Sequence, residues 1–458
     1  MAIIAHQTIA NHSVPAVYNK SYVYLAATVV ALGGVLFGFD LVIISGTVPF
    51  FTKHFNLSEV STGWAVGCLN LGAAAGALIA GKLSDAIGRK KLLLICAFLF
   101  AVTGFATGWA NDFTFFISAR LLSGVAVGVA ALVCPMYIAE IAPSRLRGRL
   151  VTLYQLAIVS GLLLAYLSNY LLLNTGVNNW RWMFSSQTIP SLLFLAGLLF
   201  VPESPRWLIK KNKLKEGHAV LEKIGGSSYA KAEKEIIQQS FLNEVKERVK
   251  DLFKVDVKQI ILIGVVVAVF SQAVGQNSLF SYAPVIFKQA GMAEDTAFLQ
   301  SVLLGCINFI FTFIAIATID KTGRKKLLLY GSILLCLDAL ALAYCFYAGI
   351  SGYYTLVFVL GFIAIYGATL GPVTWVVLSE IFPNRIRGNA MALATLCLWI
   401  ANFITTASFP VLKEHFGMHI TFGIHAFICL SYFVFIKFKM PETKGKSLEQ
   451  IEKQLTKR

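Results

Sequence analysis

Asp40 and Arg120 are charges set deep inside long apolar stretches, and together they could do acid–base chemistry. Each costs a few kcal/mol at the centre of a bilayer, so each must face a partner or a cavity. Asp40 falls about ten residues from the outer end of its stretch and Arg120 about six, depths of roughly 15 and 9 Å at 1.5 Å per residue, a gap that an arginine side chain spans. A carboxylate beside a guanidinium stays ionised, whereas one parted from it and desolvated takes up a proton. The pair is therefore expected to be a proton site whose charge changes as helices move. An ion pair that only holds a bundle together is the alternative.

A second set of charges occurs twice. Asp85-Ala-Ile-Gly88-Arg89-Lys90-Lys91 precedes Glu140-Ile-Ala-Pro-Ser-Arg145-Leu-Arg147-Gly148. The same order returns as Asp320-Lys-Thr-Gly323-Arg324-Lys325-Lys326 and Glu380-Ile-Phe-Pro-Asn-Arg385-Ile-Arg387-Gly388. One unit has been duplicated in the same direction. A solvated loop face is the ordinary reading of any one such charge, but recurrence in both halves argues that they act as sets.

The elements that position these residues are membrane spans. Hydrophobic residues make up 57% of the chain and charged ones only 14%, more apolar than a soluble protein of 458 residues carries. Twelve runs approach the roughly 20 residues needed to cross about 30 Å of hydrocarbon. They cover 22–50, 60–81, 92–110, 114–140, 150–173 and 183–201, then 257–287, 297–319, 327–349, 353–380, 388–411 and 419–437. The fold class is thus an all-α membrane protein of twelve transmembrane helices in two six-helix bundles, at 1–202 and 257–438. A cytoplasmic helical linker at 203–256 and a cytoplasmic tail at 439–458 complete it.

Net charge is +16, yet its placement points away from nucleic acid. With both termini cytoplasmic, the external loops keep only Lys53, Arg181, Lys288 and Lys413, and the positive-inside bias sets this orientation. The first run holds Asp40 and lacks a cleavage site, so it is read as a retained helix. The eight cysteines lie in apolar runs without a Cys-x-x-Cys, so neither disulfides nor a metal site is expected. No Gly-x-x-x-x-Gly-Lys-Ser/Thr loop occurs, which argues against ATP hydrolysis within the chain. No nucleophile or cofactor constellation is found either, so the protein is read as no enzyme and as needing no cofactor.

Glycines four apart (Gly34 and Gly38, Gly63 and Gly67, Gly72 and Gly76, Gly124 and Gly128) are read as close helix contacts. Asp338 and His425 also fall inside runs; His425 is read as a packed, hydrogen-bonded side chain, and Asp338 has no assigned role. Asn56-Leu-Ser58 fits a glycosylation acceptor pattern on an external loop.

The doubled Gly-Arg-Lys loops occur with Pro135-Met-Tyr-Ile-Ala-Glu140, Pro202-Glu203-Ser204-Pro205-Arg206-Trp207, Gly371-Pro372-Val-Thr-Trp375 and Pro441-Glu442-Thr443-Lys444-Gly445. With this motif set the whole chain resembles the sugar porter family of the major facilitator superfamily. It is most similar to the bacterial proton-coupled xylose and hexose symporters and more distantly to the animal glucose facilitators. The resemblance implies two bundles rocking about a central site, in which Gln155, Gln272, Asn277, Asn308 and Trp375 contact the sugar. Phe37, Gln276, Tyr282, Trp399 and Asn402 are further candidates. Amides donate to and accept from hydroxyls, and an aromatic face covers the C–H face of a pyranose.

Gly34-Val-Leu-Phe-Gly38-Phe-Asp40 carries an acid where the family's uniporters often carry an amide, which favours proton symport. The resemblance also implies that Asp85, Arg89, Glu140, Arg145 and Arg147, with Asp320, Arg324, Glu380, Arg385 and Arg387, form cytoplasmic gating networks that latch the outward-facing state. Leu162, Ser271 and Leu398 depart from the polar residues of the xylose symporter pattern, so the expected cargo is a monosaccharide without commitment to xylose. The expected partners are that sugar, a coupling proton and membrane lipid, with the monomer sufficient. A uniporter or an inositol-type polyol transporter is the alternative. A sugar sensor is disfavoured by the short tail after Pro441.

Overall fold

Caps and glycines decide where the long apolar stretches start and stop. The computed structural model describes residues 18–242, 255–350, 352–383 and 386–444, and these form helices joined by short turns. The first spans are α1 (Lys20–His54), α2 (Glu59–Ile87), α3 (Arg89–Gly108), α4 (Phe113–Ile141), α5 (Ser144–Leu172) and the pair α6 (Asn179–Ser186) and α7 (Thr188–Phe200). Next come α8 (Pro205–Lys210) and α9 (Leu214–Leu242), which kinks at Gly226. The second set is α10 (Val255–Ala273), α11 (Gln276–Gln289), α12 (Glu294–Thr322), α13 (Arg324–Tyr347), α14 (Tyr353–Ala368), α15 (Leu370–Ile381) and α16 (Arg387–Lys439).

Asn19, Ser58 and Asp112 cap α1, α2 and α4 by accepting from the backbone N–H of Tyr22, Ser61 and Phe115. Each supplies a partner that the first helical turn lacks. Among the described residues, eleven stretches are long and apolar enough to cross a membrane. The longest, α16, changes direction at Gly417 (φ 75°, ψ 168°), and its arms 387–416 and 418–439 make twelve crossings in all. The run expected at 257–287 is broken at Gly275, that at 353–380 at Thr369, and that at 183–201 begins at Asn179 with a turn at Gln187.

Small residues set how closely the spans approach. A Cβ on Gly72 would collide with the α4 backbone at Leu121 and Gly124, and one on Gly124 with Leu69 of α2. Gly38 and Gly161 bring α1 and α5 together in the same way, against Ile158 and Val35. Lipid offers no hydrophobic drive for association, so van der Waals contact at such positions holds the helices together.

The two sets of spans meet on the side away from the Gly-Arg-Lys loops. There Gly63 of α2 lies on the Ala407 carbonyl of α16, Trp64 packs edge-on to Phe403 at 5.5 Å, and Lys413 Nζ reaches Glu59 Oε1 at 3.4 Å. Among the described residues this is the ion pair that crosses between the halves; the pairs at the Gly-Arg-Lys loops each stay within one half.

Candidate functional site

Gly275, in the left-handed region at φ 103°, interrupts the seventh span and puts Gln272 at the end of α10 next to Gln276 and Asn277 at the start of α11. Gln272 Oε1 accepts from Asn277 Nδ2 at 2.6 Å and from Gln276 Nε2 at 3.2 Å, while its Nε2 donates to Ser271 Oγ at 3.2 Å. Irregular backbone at membrane depth is tolerated where it lines a cavity, and half-helix ends there present polar groups.

This amide cluster faces a cleft of about 120 Å³ between the halves. Phe37, Gly38 and Leu41 of α1 and Gln155 of α5 form one wall. Asn308, Tyr366, Trp375, Trp399 and Asn402 join the amide cluster on the other. Five of the six amides therefore come from the second half, and Gln155 faces them from the first. Gln276 Oε1 and Trp399 Nε1 are buried in the wall without a protein partner, Phe37 packs on Trp399 at 5.8 Å, and Trp375 is 36% exposed. Paired amides, unpaired polar atoms and indole faces suit a neutral polyhydroxylated ligand.

Asp40 lies behind the α1 wall and points away from the cleft into α4. Arg120 Nη1 donates to Asp40 Oδ1 at 2.6 Å, Ser123 Oγ donates to Oδ2, and both charged side chains are 1% exposed. The guanidinium lies over the Phe184 ring, 5.7 Å from its centroid. Asp40 is one residue from Leu41 and two from Gly38 in the cleft wall, so movement of α1 acts on ion pair and cleft together.

The duplicated motifs build the same cluster twice. Arg89 binds Glu140 through Nε and Nη2 at 3.0 and 2.9 Å; Glu203 accepts from the backbone N–H of Arg89 and Lys90; Ser204 Oγ donates to Glu140 at 2.5 Å. In the second half Arg324 Nη2 binds Glu380 at 2.9 Å, Glu442 accepts from the N–H of Arg324 and Lys325, and Thr443 Oγ1 donates to Glu380 at 2.7 Å. Asp85 adds Arg89 Nη1 and Lys210, each at 2.9 Å. Arg145 and Arg147 are exposed on the first turn of α5, with Arg147 lining a groove beside Glu140, Arg206 and Glu233. Arg387 donates from Nε to the Phe382 carbonyl at 3.3 Å. Arg385 and the Asp320 side chain lie outside the described residues.

A family model described as sugar (and other) transporter matches residues 26–455. The chain belongs to this family. It is 37% identical over 443 residues to the arabinose-proton symporter of Bacillus subtilis, covering 95% of this chain and 96% of that protein. It is also 37% identical to the D-xylose-proton symporter of Escherichia coli over 474 residues, covering 95% and 96%. The solved inward open conformation of the xylose transporter XylE from E. coli superposes with a TM-score of 0.86 at 35% identity, over 95% of this chain and 100% of that one. The XylE structure bound to 6-bromo-6-deoxy-D-glucose gives 0.79 at 36% identity, covering 96% and 100%.

Of the sugar-contact candidates in this family member, Tyr282 is the one that stays out of the cleft. It is buried on the opposite side of the break, where its hydroxyl donates to the Thr406 carbonyl at 3.1 Å and its ring stacks on Phe409 at 5.0 Å. The reason is local: non-helical torsions at Tyr282 (φ −123°, ψ 17°) turn it into the seam with α16. Tyr366 and Thr312 line the cleft without having been singled out, and both sit in apolar runs that conceal a polar face. Glu203, Ser204, Glu442 and Thr443 were visible as motifs but not as members of the ionic clusters. Their common place after the sixth and twelfth spans was the available signal.

Proposed function

We propose that the protein imports a monosaccharide, hexose or pentose, together with a proton, by alternating access between six-helix bundles at 1–202 and 257–438. The linker 203–256 and tail 439–458 are assigned to the cytoplasm with both termini, in a cell membrane, because the basic loops gather there. Gln272, Gln276, Asn277, Asn308 and Asn402 hold the sugar on the second bundle, Trp375 and Trp399 cover its apolar face, and Gln155 and Phe37 close on it from the first. Seam contacts on the outer side, together with the superposition on the inward open conformation, support an inward-facing state for this structure.

The observation that carries this reading is on α1. One turn of this helix presents Phe37, Gly38 and Leu41 to the cleft and Asp40 to Arg120 and Ser123. When α1 and α4 shift, Asp40 loses its counter-charge in a dry surround and takes up a proton; when they return, Arg120 displaces it. Sugar occupancy and proton occupancy thereby bias the same helix.

The test is uptake of radiolabelled xylose, arabinose, glucose, galactose, fructose and inositol into proteoliposomes, with and without an imposed inward proton gradient. Accumulation above equilibrium is expected for one of the monosaccharides and only with the gradient. Asp40→Asn is expected to abolish accumulation while sparing sugar exchange in counterflow. Equal uptake in both conditions would make this a facilitator and leave Asp40 a structural ion.

A further inference from the structure

His425, on the 418–439 arm of α16, touches the turn that shapes the amide cluster. Its Nδ1 lies 3.3 Å from the Ala273 carbonyl at the last residue of α10. Its ring fills the space above Gly275, where a Cβ would come within 2.5 Å of Nδ1 and 2.6 Å of Cε1. The side chain is buried, at 5% exposure. Interrupting a helix frees backbone carbonyls, and a buried carbonyl left without a donor is costly. With Nδ1–H as donor, the imidazole supplies that partner from another helix. One turn before the break the two helices are already clamped, since Phe270 of α10 stacks on Tyr432 of α16 at 5.2 Å with their planes 6° apart.

We propose that His425 is a positioning residue for the sugar site: it fixes the Ala273–Gly275 turn and thereby the spacing of Gln272 from Gln276 and Asn277. It touches no cargo and takes no part in proton coupling. This rests on the sugar-transport reading, because its effect is read through the amides. Gly275, at φ 103°, donates its N–H to the Gln272 carbonyl at 3.3 Å instead of to the carbonyl four residues back, so the helical ladder is interrupted there; without the imidazole the two half-helices drift and Gln272 Oε1 loses its geometry with Asn277.

The experiment compares His425→Phe, which keeps a ring but loses the donor, with His425→Asn, whose amide nitrogen occupies the place of Nδ1. Initial rates of uptake and counterflow are measured in proteoliposomes across sugar concentrations. For His425→Phe the half-saturating sugar concentration is expected to rise about five- to tenfold, as loss of one hydrogen bond to the turn implies, with maximal rate and gradient-driven accumulation within about twofold of the parent. His425→Asn is expected to restore the parent value. An unchanged half-saturation in His425→Phe, or an equal rise in both variants, would overturn the proposal. Should His425→Phe fail to fold, His425→Asn decides: parent-like half-saturation supports the role of the donor, and a rise refutes it. Absence of saturable uptake in the unaltered protein would instead refute the sugar-transport reading, so the two failures are distinct.

Discussion

Gln276 shows what a single side chain contributes at the residue scale. Its Nε2 is engaged by Gln272 while its Oε1 is buried in the cleft wall without a protein partner, so it has an acceptor to offer a hydroxyl. Replacing it by Leu removes one net hydrogen bond of about 1 kcal/mol and is expected to raise the half-saturating sugar concentration about fivefold, leaving proton coupling intact. Saturation curves in counterflow check this; an unchanged value would take Gln276 out of the site. The two in-span residues without a family role diverge on inspection. His425 has a hydrogen-bond partner, whereas Asp338 has an unpartnered Oδ2 and an Oδ1 only 2.8 Å from where a Cβ on Gly361 would stand.

At the scale of elements, α2 and α16 close the molecule on one side. Gly63 permits that seam, since a Cβ there would overlap the Ala407 carbonyl, and Glu59–Lys413 and Trp64–Phe403 flank it. Gly63→Trp is therefore expected to hold the seam apart, bring uptake to background and leave sugar binding in detergent measurable by calorimetry. Continued transport by this variant would show that the seam opens and closes elsewhere. The helix breaks at Gly275 and Thr369 have the complementary task of turning polar groups into the cleft.

For the molecule as a whole, duplication gives each half its own ionic cluster at the Gly-Arg-Lys loops. Glu203 and Glu442 each accept two backbone N–H groups at the start of the span after the glycine turn. Truncating either to Ala takes that carboxylate from both donors and is expected to cost about 1–3 kcal/mol, with similar falls in melting temperature for the two variants. Thermal unfolding followed by fluorescence in detergent measures this, and a large loss in one half alone would mean the clusters are not equivalent. These pairs lie within one half while the opposite seam is shut, so the proposed rocking of the halves would leave each network intact.

Span number, duplication and the Asp40–Arg120 pairing were legible in the sequence because each depends on hydrophobic length, motif recurrence or the cost of an isolated charge, all local properties. The cleft was legible only as a set of amides and tryptophans carried by resemblance. That nine of the ten face it together, and that Tyr282 does not, depends on backbone breaks at Gly275 and Tyr282 that hydropathy does not register. Likewise the sequence contained both copies of Pro-Glu-Ser/Thr, but only the folded chain brought Glu203 under Arg89 and Glu442 under Arg324, since these contacts join segments more than a hundred residues apart. Local chemistry thus determined which residues had to be buried and charged; tertiary packing decided which of them meet, because that follows from how the breaks aim each half-helix.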